Sequence, residues 1–165
     1  MNDYQFRTVG PEDLPLIGQW LARPHVREWW GDPVRALGEI GAHLADPDLD
    51  VIVVSHRGTP IGYQQCYDAH GGSEGPLCDQ PAGTRGIDAF IGEPAYVGRG
   101  HGSAFIGLFV EQLFDTGTPR VVTDPDPRNT RAIAAYRKAG FHPLDRRTTL
   151  SGEALLMARD ARTSA

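Results

Sequence analysis

Residues 97–103 constrain the fold of this chain most, because three glycines alternate there with other residues. Gly98, Gly100 and Gly102 allow a sharp turn and let a ligand approach the backbone N–H groups without meeting Cβ atoms. The following residues show the apolar spacing of one helix face: Phe105, Ile106, Phe109, Val110, Leu113 and Phe114. A helix that begins here directs its unpaired N–H groups and its positive dipole end toward the loop. This glycine loop, residues 97–103, therefore predicts a binding site for a phosphate or pyrophosphate.

Two common anion-binding loops do not fit the glycine loop. A P-loop ends in Gly-Lys-Ser/Thr, whereas Gly102-Ser103 contains no lysine. A dinucleotide fingerprint counted from Gly98 needs a glycine where Ser103 stands, and an acid about 20 residues further on, which the residues around Thr118 do not supply. The pyrophosphate loop of an acyl-CoA-dependent N-acyltransferase and a turn that only caps a helix both remain, so the motif by itself leaves the ligand open.

Length, composition and charge predict one globular domain. We expect a single domain over all 165 residues, with a loosely ordered tail after about residue 159. A net charge of −5 disfavours nucleic acid as a partner and is compatible with a cationic substrate. No apolar run has membrane-spanning length, no stretch is typical of a signal peptide, and Cys66 and Cys78 form no CxxC, so we expect a cytoplasmic protein with reduced thiols and no membrane partner. The six histidines lack zinc spacing, so no metal is expected.

Hydrophobic periodicity predicts seven strands and four helices. The predicted strands are residues 4–9, 51–55, 61–67, 86–91, 121–123, 141–149 and 154–158. The predicted helices are residues 11–22, a helix from Pro33 with Val34, Leu37, Ile40 and Leu44 inward, the helix after the glycine loop, and residues 130–139 between an Asn129 N-cap and Gly140. Residues 69–83 carry four glycines and two prolines without an apolar period, and are either a lid over substrate or a solvated loop.

The order of the glycine loop, a helix, a strand, Asn129-x-x-Ala132, Tyr136 and Gly140-Phe141 resembles the GNAT superfamily of acetyl-CoA-dependent acetyltransferases. Five further motifs follow the order and spacing of the aminoglycoside 6′-N-acetyltransferases: Glu28-Trp29-Trp30-Gly31, Pro60-Ile61-Gly62-Tyr63, Arg85-Gly86-Ile87-Asp88, Thr123-Asp124-Pro125 and Arg131-Ala132-Ile133. The resemblance covers nearly the whole chain, from about Phe6 to Met157. It implies an α+β GNAT fold, with a mixed, mainly antiparallel sheet that is flanked by helices and split near the acetyl-CoA site.

The same resemblance implies an activity. The chain would transfer acetyl from acetyl-CoA to the 6′-amine of an aminoglycoside, a polyamine sugar, by direct attack in a ternary complex. Two alternatives stay open: an acyltransferase acting on a siderophore precursor or a protein amine, and a CoA- or drug-binding module without turnover, against which Asp88 and Tyr136 argue. The sequence does not distinguish a monomer from a dimer.

The residues that the resemblance implies for acetyl-CoA are Phe90, Ile91, Val97, Gly98, Arg99, Gly100, His101, Gly102, Ser103, Asn129, Ala132 and Tyr136. Backbone N–H groups around residues 90–92 would polarise the thioester carbonyl. Val97 stands where GNAT loops often have Arg or Gln, which leaves the backbone site intact but removes one polar side chain. Tyr136 would protonate or hydrogen-bond the leaving sulfur, or is a helix residue packed on the core. Asn129 contacts the CoA arm, caps its helix, or does both.

The residues implied for the acceptor substrate are Trp29, Trp30, Gln65, Tyr67, Glu74, Asp79, Asp88 and Asp124. Asp88 would accept the amine proton directly or through water, unless it only pairs with Arg85 or caps a turn. Asp124 would bind the substrate amine or only form an Asp-Pro turn. The two tryptophans would line the sugar pocket, or be one core and one surface residue. Tryptophans that the family carries after its acidic lid residue are absent after Glu74, which leaves the range of substrates open.

Overall fold

The computed structural model describes residues 2–71 and 76–162. The strands are β1 Tyr4–Thr8, β2 Leu49–His56, β3 Thr59–Asp68, β4 Arg85–Ile91, β5 Arg120–Thr123, β6 His142–Thr149 and β7 Gly152–Asp160. The helices are α1 Leu14–Leu21, α2 Pro24–Trp30, α3 Pro33–His43, α4 His101–Asp115 and α5 Thr130–Lys138, with 3₁₀ turns at Pro11–Asp13 and Pro94–Tyr96. No helix within these described ranges is long and apolar enough to cross a membrane.

The strands form a mixed sheet in the order β1-β2-β3-β4-β5-β7-β6. β1 is antiparallel to β2, and β7 is antiparallel to both β5 and β6. β4 and β5 are parallel, and α4 lies between them in the chain, because parallel neighbours need a long crossover connection. The predicted α+β class with a mixed, mainly antiparallel sheet is confirmed.

The chain divides into two compact units, and the first contains residues up to Cys66 together with Ala89–Arg99. Its core is formed by α1, α2, α3 and the adjoining strands: Val9, Ile17, Trp20, Leu21, Val26, Ala36, Ile40, Val51, Val53, Tyr63 and Phe90. The prediction for Val34 was wrong, because this side chain is 80% exposed. Ala36 and Ile40 define the buried line of α3, and Val34 precedes Ala36 by two residues, which turns it about 200° around the helix.

The second unit contains Tyr67–Asp88 and the residues from Gly100 onward. The buried face of α4 consists of Phe105, Ile106, Phe109 and Val110, as predicted. Asn129 caps α5, since its Oδ1 accepts a hydrogen bond from the Ala132 N–H at 3.2 Å, and Gly140 ends this segment with φ 97°. β7 ends at Asp160, one residue into the predicted tail. The last three residues of that tail, 163–165, lie outside the described residues. The single domain over 1–165 stays a prediction.

β3 is buried on both faces, and one of its buried side chains is polar. Gln64 is 0% exposed, and neither its Nε2 nor its Oε1 has a hydrogen-bond partner among the described residues. An unpaired buried amide lowers stability by about 1–3 kcal/mol. The next residue shows the opposite situation, because Gln65 Oε1 accepts a hydrogen bond from the Tyr63 hydroxyl at 2.8 Å.

Gln64→Met is therefore expected to stabilise the protein, since methionine keeps the length of the side chain and removes both unpaired atoms. We expect a gain of about 1 kcal/mol, or a rise of about 2–4 °C in Tm, measured by thermal and denaturant unfolding. Gln65→Met is the matched control, and it should lower stability because it removes the acceptor of the Tyr63 hydrogen bond. A loss of stability in Gln64→Met would contradict the assignment of an unpaired amide.

Candidate active site

The end of β4 is held by side chains from α1 and α2. His25 Nε2 donates a hydrogen bond to the Ile91 carbonyl oxygen at 2.8 Å. A Cβ on Gly92 would collide with the Trp20 ring, so only glycine fits there. The Gly92 N–H donates to the Ile61 carbonyl oxygen at 2.8 Å. This amide was one of three predicted to polarise a substrate carbonyl, and it is already paired; the other two stay a prediction.

An aromatic cluster lies beside this strand end in the first unit. Trp30 packs edge-on against Phe90, with 5.1 Å between ring centroids, and against Tyr63, with 6.0 Å. Trp30 is therefore part of the packing around the core, while Trp29 beside it is half-buried. Gln65 orients Tyr63 through the hydrogen bond to its hydroxyl. The binding of substrate by Trp29, Trp30 and Gln65 stays a prediction.

The parallel pairing of β4 and β5 ends early, and two carboxylates follow it. The last residue pair is Gly86 with Val122. By the same register, Asp88 and Asp124 occupy equivalent positions two residues further on. Side chains two residues apart on a strand share a face, so Asp88 lies on the face of Gly86, while Asp124 comes directly after the end of β5. Asp88 and Asp124, here called the carboxylate pair, therefore lie where the two strands cease to be joined by hydrogen bonds.

The environment of the carboxylate pair disfavours two negative charges. Burial, and after it the charge of Asp88, raises the pKa of Asp124 to about 7. A carboxyl group with such a pKa is partly protonated at neutral pH, so it can accept or release a proton there. A bound ammonium group would favour its ionised form, because opposite charges attract strongly in a partly buried site.

Three further predicted substrate residues lie at the end of β3 or in the segment after it. The Tyr67 ring lies against the backbone of β4, since a Cβ on Gly86 would collide with it. Asp79, which was predicted to supply negative charge to the substrate, accepts two hydrogen bonds of 2.7 Å from Arg147, and its contact with substrate stays a prediction. Arg147 also lowers the pKa of Asp79 to about 2. Glu74 lies outside the described residues.

The glycine loop has the backbone that its sequence predicts. Gly98 and Gly100 have φ values of 74° and 85°, a region that disfavours other residues. A Cβ added at either glycine would meet no atom within 4 Å among the described residues, so the space above both is open. α4 begins at His101. Within the described chain its first turn contains no acidic residue, and its N-cap residue is Gly100, which has no side chain to pair the first N–H groups. The Ser103 hydroxyl donates to the Gly100 carbonyl at 3.1 Å, which fixes the start of the helix.

α5 carries two of the predicted acetyl-CoA residues. Asn129 is confirmed as the helix cap, and its hydrogen bond pairs the backbone N–H of Ala132. The Tyr136 ring is 5% exposed and packs against Phe141, with 5.5 Å between ring centroids. Packing on the core is therefore confirmed for Tyr136. Contact of these residues with CoA stays a prediction.

Comparison with known proteins decides the family. The family model of the acetyltransferase (GNAT) domain matches residues 10–149. The chain belongs to the GNAT acetyltransferase family. It is 34% identical over 162 residues to aminoglycoside N(6′)-acetyltransferase type 1 of Klebsiella pneumoniae, which covers 93% of this chain and 81% of that protein. It is 30% identical over 167 residues to the lysine N-acyltransferase MbtK of Mycolicibacterium paratuberculosis, covering 98% and 75% of the two chains.

A solved structure agrees with this assignment. The structure of AAC(6′)-Ib in complex with paromomycin and acetyl-CoA has a TM-score of 0.85 with this chain at 32% identity, and the match covers 96% of this chain and 94% of that one. The predicted GNAT fold is confirmed. The protein is thus an acetyltransferase.

The residues of the glycine loop fit the acetyl-CoA that a GNAT acetyltransferase uses. The open space above Gly98 and Gly100 admits a phosphate group close to the backbone, and the N-terminus of α4 favours an anion. Arg99 is exposed and supplies a positive charge in the same loop. Among the described residues, no group of three or more His, Cys, Asp or Glu side chains could hold a metal ion.

Sequence reasoning missed His25, Trp20 and Arg147. Trp20 and His25 lie more than 60 residues before the β4 end that they contact, as in the 66-residue separation of His25 and Ile91. Arg147 is 68 residues from Asp79. No local pattern distinguishes these residues, although the polar His25 beside the Trp29-Trp30 motif was a signal that could have been used.

The raised pKa of Asp124 predicts a pH-dependent stability. The folded protein keeps this proton up to about pH 7, whereas the unfolded chain loses it near pH 4, so stability falls as pH rises through that window. Asp124→Asn removes this pH dependence, because asparagine does not titrate. As the pH rises from 5 to 8, the stability of the variant relative to the wild type should therefore increase by at least about 1 kcal/mol, or about 2–4 °C in Tm. Thermal unfolding at several pH values measures this gain.

Asp126→Asn is the matched control for Asp124→Asn. Arg128 lowers the pKa of Asp126 to about 2, so this carboxyl group is ionised in both states above pH 5. Its Tm difference from the wild type should not change between pH 5 and pH 8. Parallel pH profiles for Asp124→Asn and the wild type would exclude a raised pKa at Asp124.

Gly100→Val should weaken binding of coenzyme A at least about tenfold, because its side chain would fill the space above the loop. Isothermal titration calorimetry measures this affinity. Gly117→Val controls for backbone strain, since Gly117 also has a positive φ, 101°, and open space at its Cβ, but lies at the opposite end of α4. Equal affinities for Gly100→Val and Gly117→Val would refute the assignment of the loop.

Proposed function

We propose that this acetyltransferase transfers the acetyl group of acetyl-CoA to the 6′-amine of an aminoglycoside. The carboxylate pair carries the proposal, because Asp88 and Asp124 follow the end of a parallel strand pair and one of them titrates near neutral pH. Two carboxylates attract a polyamine sugar and can take a proton from an amine. The identity to an aminoglycoside N(6′)-acetyltransferase over most of both chains supports this acceptor.

The residues divide the work between donor and acceptor. Acetyl-CoA supplies the acetyl group as a thioester. The glycine loop and α4 hold its pyrophosphate, and the Phe90 and Ile91 amides orient its carbonyl. Tyr136 donates a proton to the leaving sulfur, and the burial of its ring keeps the hydroxyl in one place.

On the acceptor side, the carboxylate pair binds the ammonium group and one member takes its proton. We assign the base to Asp88, since Asp124 holds its own proton up to about pH 7 in the absence of a cation. Tyr67 lines the sugar, because an apolar ring face stacks well on the C–H face of a saccharide. Asp79 is left out of the acceptor site because Arg147 binds its carboxylate.

A second acceptor class is favoured by one observation, the 30% identity to a lysine N-acyltransferase over 98% of this chain. A carboxylate pair attracts the ammonium group of other primary amines too, so the amine of a lysine-type siderophore precursor is the second candidate acceptor. The acceptor side of the site, rather than the donor side, distinguishes these two functions.

Release of free thiol from acetyl-CoA tests the proposal with a matched pair of acceptors. Neomycin carries an amine at the 6′ position and paromomycin a hydroxyl, and the two are otherwise alike. We expect turnover with neomycin and kanamycin and none with paromomycin. Turnover with paromomycin equal to that with neomycin would overturn the 6′ assignment, and turnover only with lysine-type amines would favour the second acceptor class.

Asp88→Asn should lower kcat about 100-fold or more with neomycin, because it removes the base, while the affinity for acetyl-CoA stays unchanged. Steady-state kinetics and calorimetry with acetyl-CoA measure the two quantities. Asp115→Asn, at the exposed end of α4, is the control and should keep wild-type kinetics. An unchanged kcat in Asp88→Asn would remove Asp88 from the mechanism.

A further inference from the structure

Arg147 on β6 gathers three partners around one guanidinium group. Its Nη1 and Nη2 each donate to a different oxygen of Asp79 at 2.7 Å, a bidentate ion pair. Nη1 also donates to the Pro76 carbonyl oxygen at 2.5 Å, and Nε donates to Asp145 Oδ1 at 2.8 Å. The Arg147 side chain is 19% exposed, against 58% for Asp79. A partly buried, bidentate arginine with several acceptors is a rigid anchor rather than a loose surface pair.

These contacts hold residues 76–80, the middle of the segment between β3 and β4. Arg147 binds this 76–80 segment at Pro76 and at Asp79. Between them Leu77 is 7% exposed and packs in the core of the second unit. His70 Nε2 donates to the carbonyl oxygen of Gln80, which fixes the far end. The segment is therefore held at Pro76, Leu77, Asp79 and Gln80, unlike a solvated loop.

The 76–80 segment supports a residue beside the carboxylate pair. Leu77 belongs to the same packed cluster as Tyr67 and Val122. The Tyr67 ring in turn lies against the backbone at Gly86. Gly86 and Asp88 are two residues apart on β4 and share one face. A shift of the segment would therefore move Tyr67 and change the wall next to Asp88.

We propose that Arg147 is a positioning residue that sets the affinity for the amine acceptor. Its ion pair with Asp79 fixes the 76–80 segment and, through Leu77, the Tyr67 ring beside the carboxylate pair. The same ion pair withdraws Asp79 from cation binding, so Asp79 acts as a structural anchor and not as a substrate ligand. This inference rests on the proposed acetylation of an amine acceptor.

The direction in which two single substitutions change the KM for neomycin tests the inference. If the pair is an anchor, Arg147→Gln and Asp79→Asn both raise the KM for neomycin, by about three- to tenfold, because each releases the same segment. The KM for acetyl-CoA should stay within about twofold of the wild type, and the double variant should be no worse than either single one. If Asp79 bound substrate directly, Arg147→Gln would free its charge and lower the KM for neomycin. That result would overturn the inference.

Two further variants, one at the neighbouring Arg146 and one at Arg147 itself, serve as controls. Arg146 is the next residue of β6, is 69% exposed and lies 3.8 Å from Glu153, so Arg146→Gln should keep the wild-type KM for neomycin. Arg147→Lys keeps the charge but cannot donate the parallel pair of hydrogen bonds, and should recover only part of the loss. Full recovery by lysine would show that charge alone matters and would contradict the positioning role.

Hydrogen exchange provides a readout that needs no substrate. Arg147→Gln should speed exchange of the amides of the 76–80 segment and leave exchange in α4 unchanged. Unchanged exchange in the segment would overturn the inference. Failure of the proposed function would appear separately, as wild-type protein that releases no thiol with any amine.

Discussion

The two-residue parallel pairing between β4 and β5 is the constraint on which the candidate site depends. Parallel neighbours require a crossover, so the chain leaves β4 through the glycine loop and α4 before it returns as β5. The hydrogen bonds between the strands end at Gly86 and Val122. Because this pairing stops there, Asp88 and Asp124 lie beyond the hydrogen-bonded part of the two strands. Two aspartates at these positions can therefore meet a ligand.

Charge in the second unit is arranged for two ligands of opposite sign. The carboxylate pair disfavours its own second negative charge, which is why the pKa of Asp124 rises to about 7 and why a cation would be bound well. The first turn of α4, in contrast, contains no acidic residue within the described chain, so its dipole is free to attract an anion. A polyamine acceptor and an acyl-CoA donor have these charges. Arg147 pairs with Asp79 and so compensates the charge of that carboxylate.

Features that depend on nearby residues were predicted well from the sequence. The glycine loop, the Asn129 cap and the buried face of α4 involve residues within a few positions of each other, so their spacing determines them. Val34 was wrongly predicted to face inward, because apolar residues spaced three or four apart do not show at which residue the buried face of a helix begins. The ion pair of Asp79 with Arg147 was not predicted, because the two residues lie 68 positions apart in the chain. The roles of Tyr136 and the tryptophans rest on resemblance, and the packing of Tyr136 and Trp30 adds a structural role to each.

The sequence by itself determined the family, the order of the strands and the position of the glycine loop, because motif spacing and periodicity are local properties of a chain. Only the tertiary structure decided which charges are paired, which amides are used and how Asp88 and Asp124 relate. These depend on strand register and on contacts between residues far apart in the chain, such as His25 with Ile91 and Arg147 with Asp79. A carboxylate has the same formula in a solvated turn, in an ion pair or beside another carboxylate. Its pKa and its function follow from the neighbours that folding brings to it.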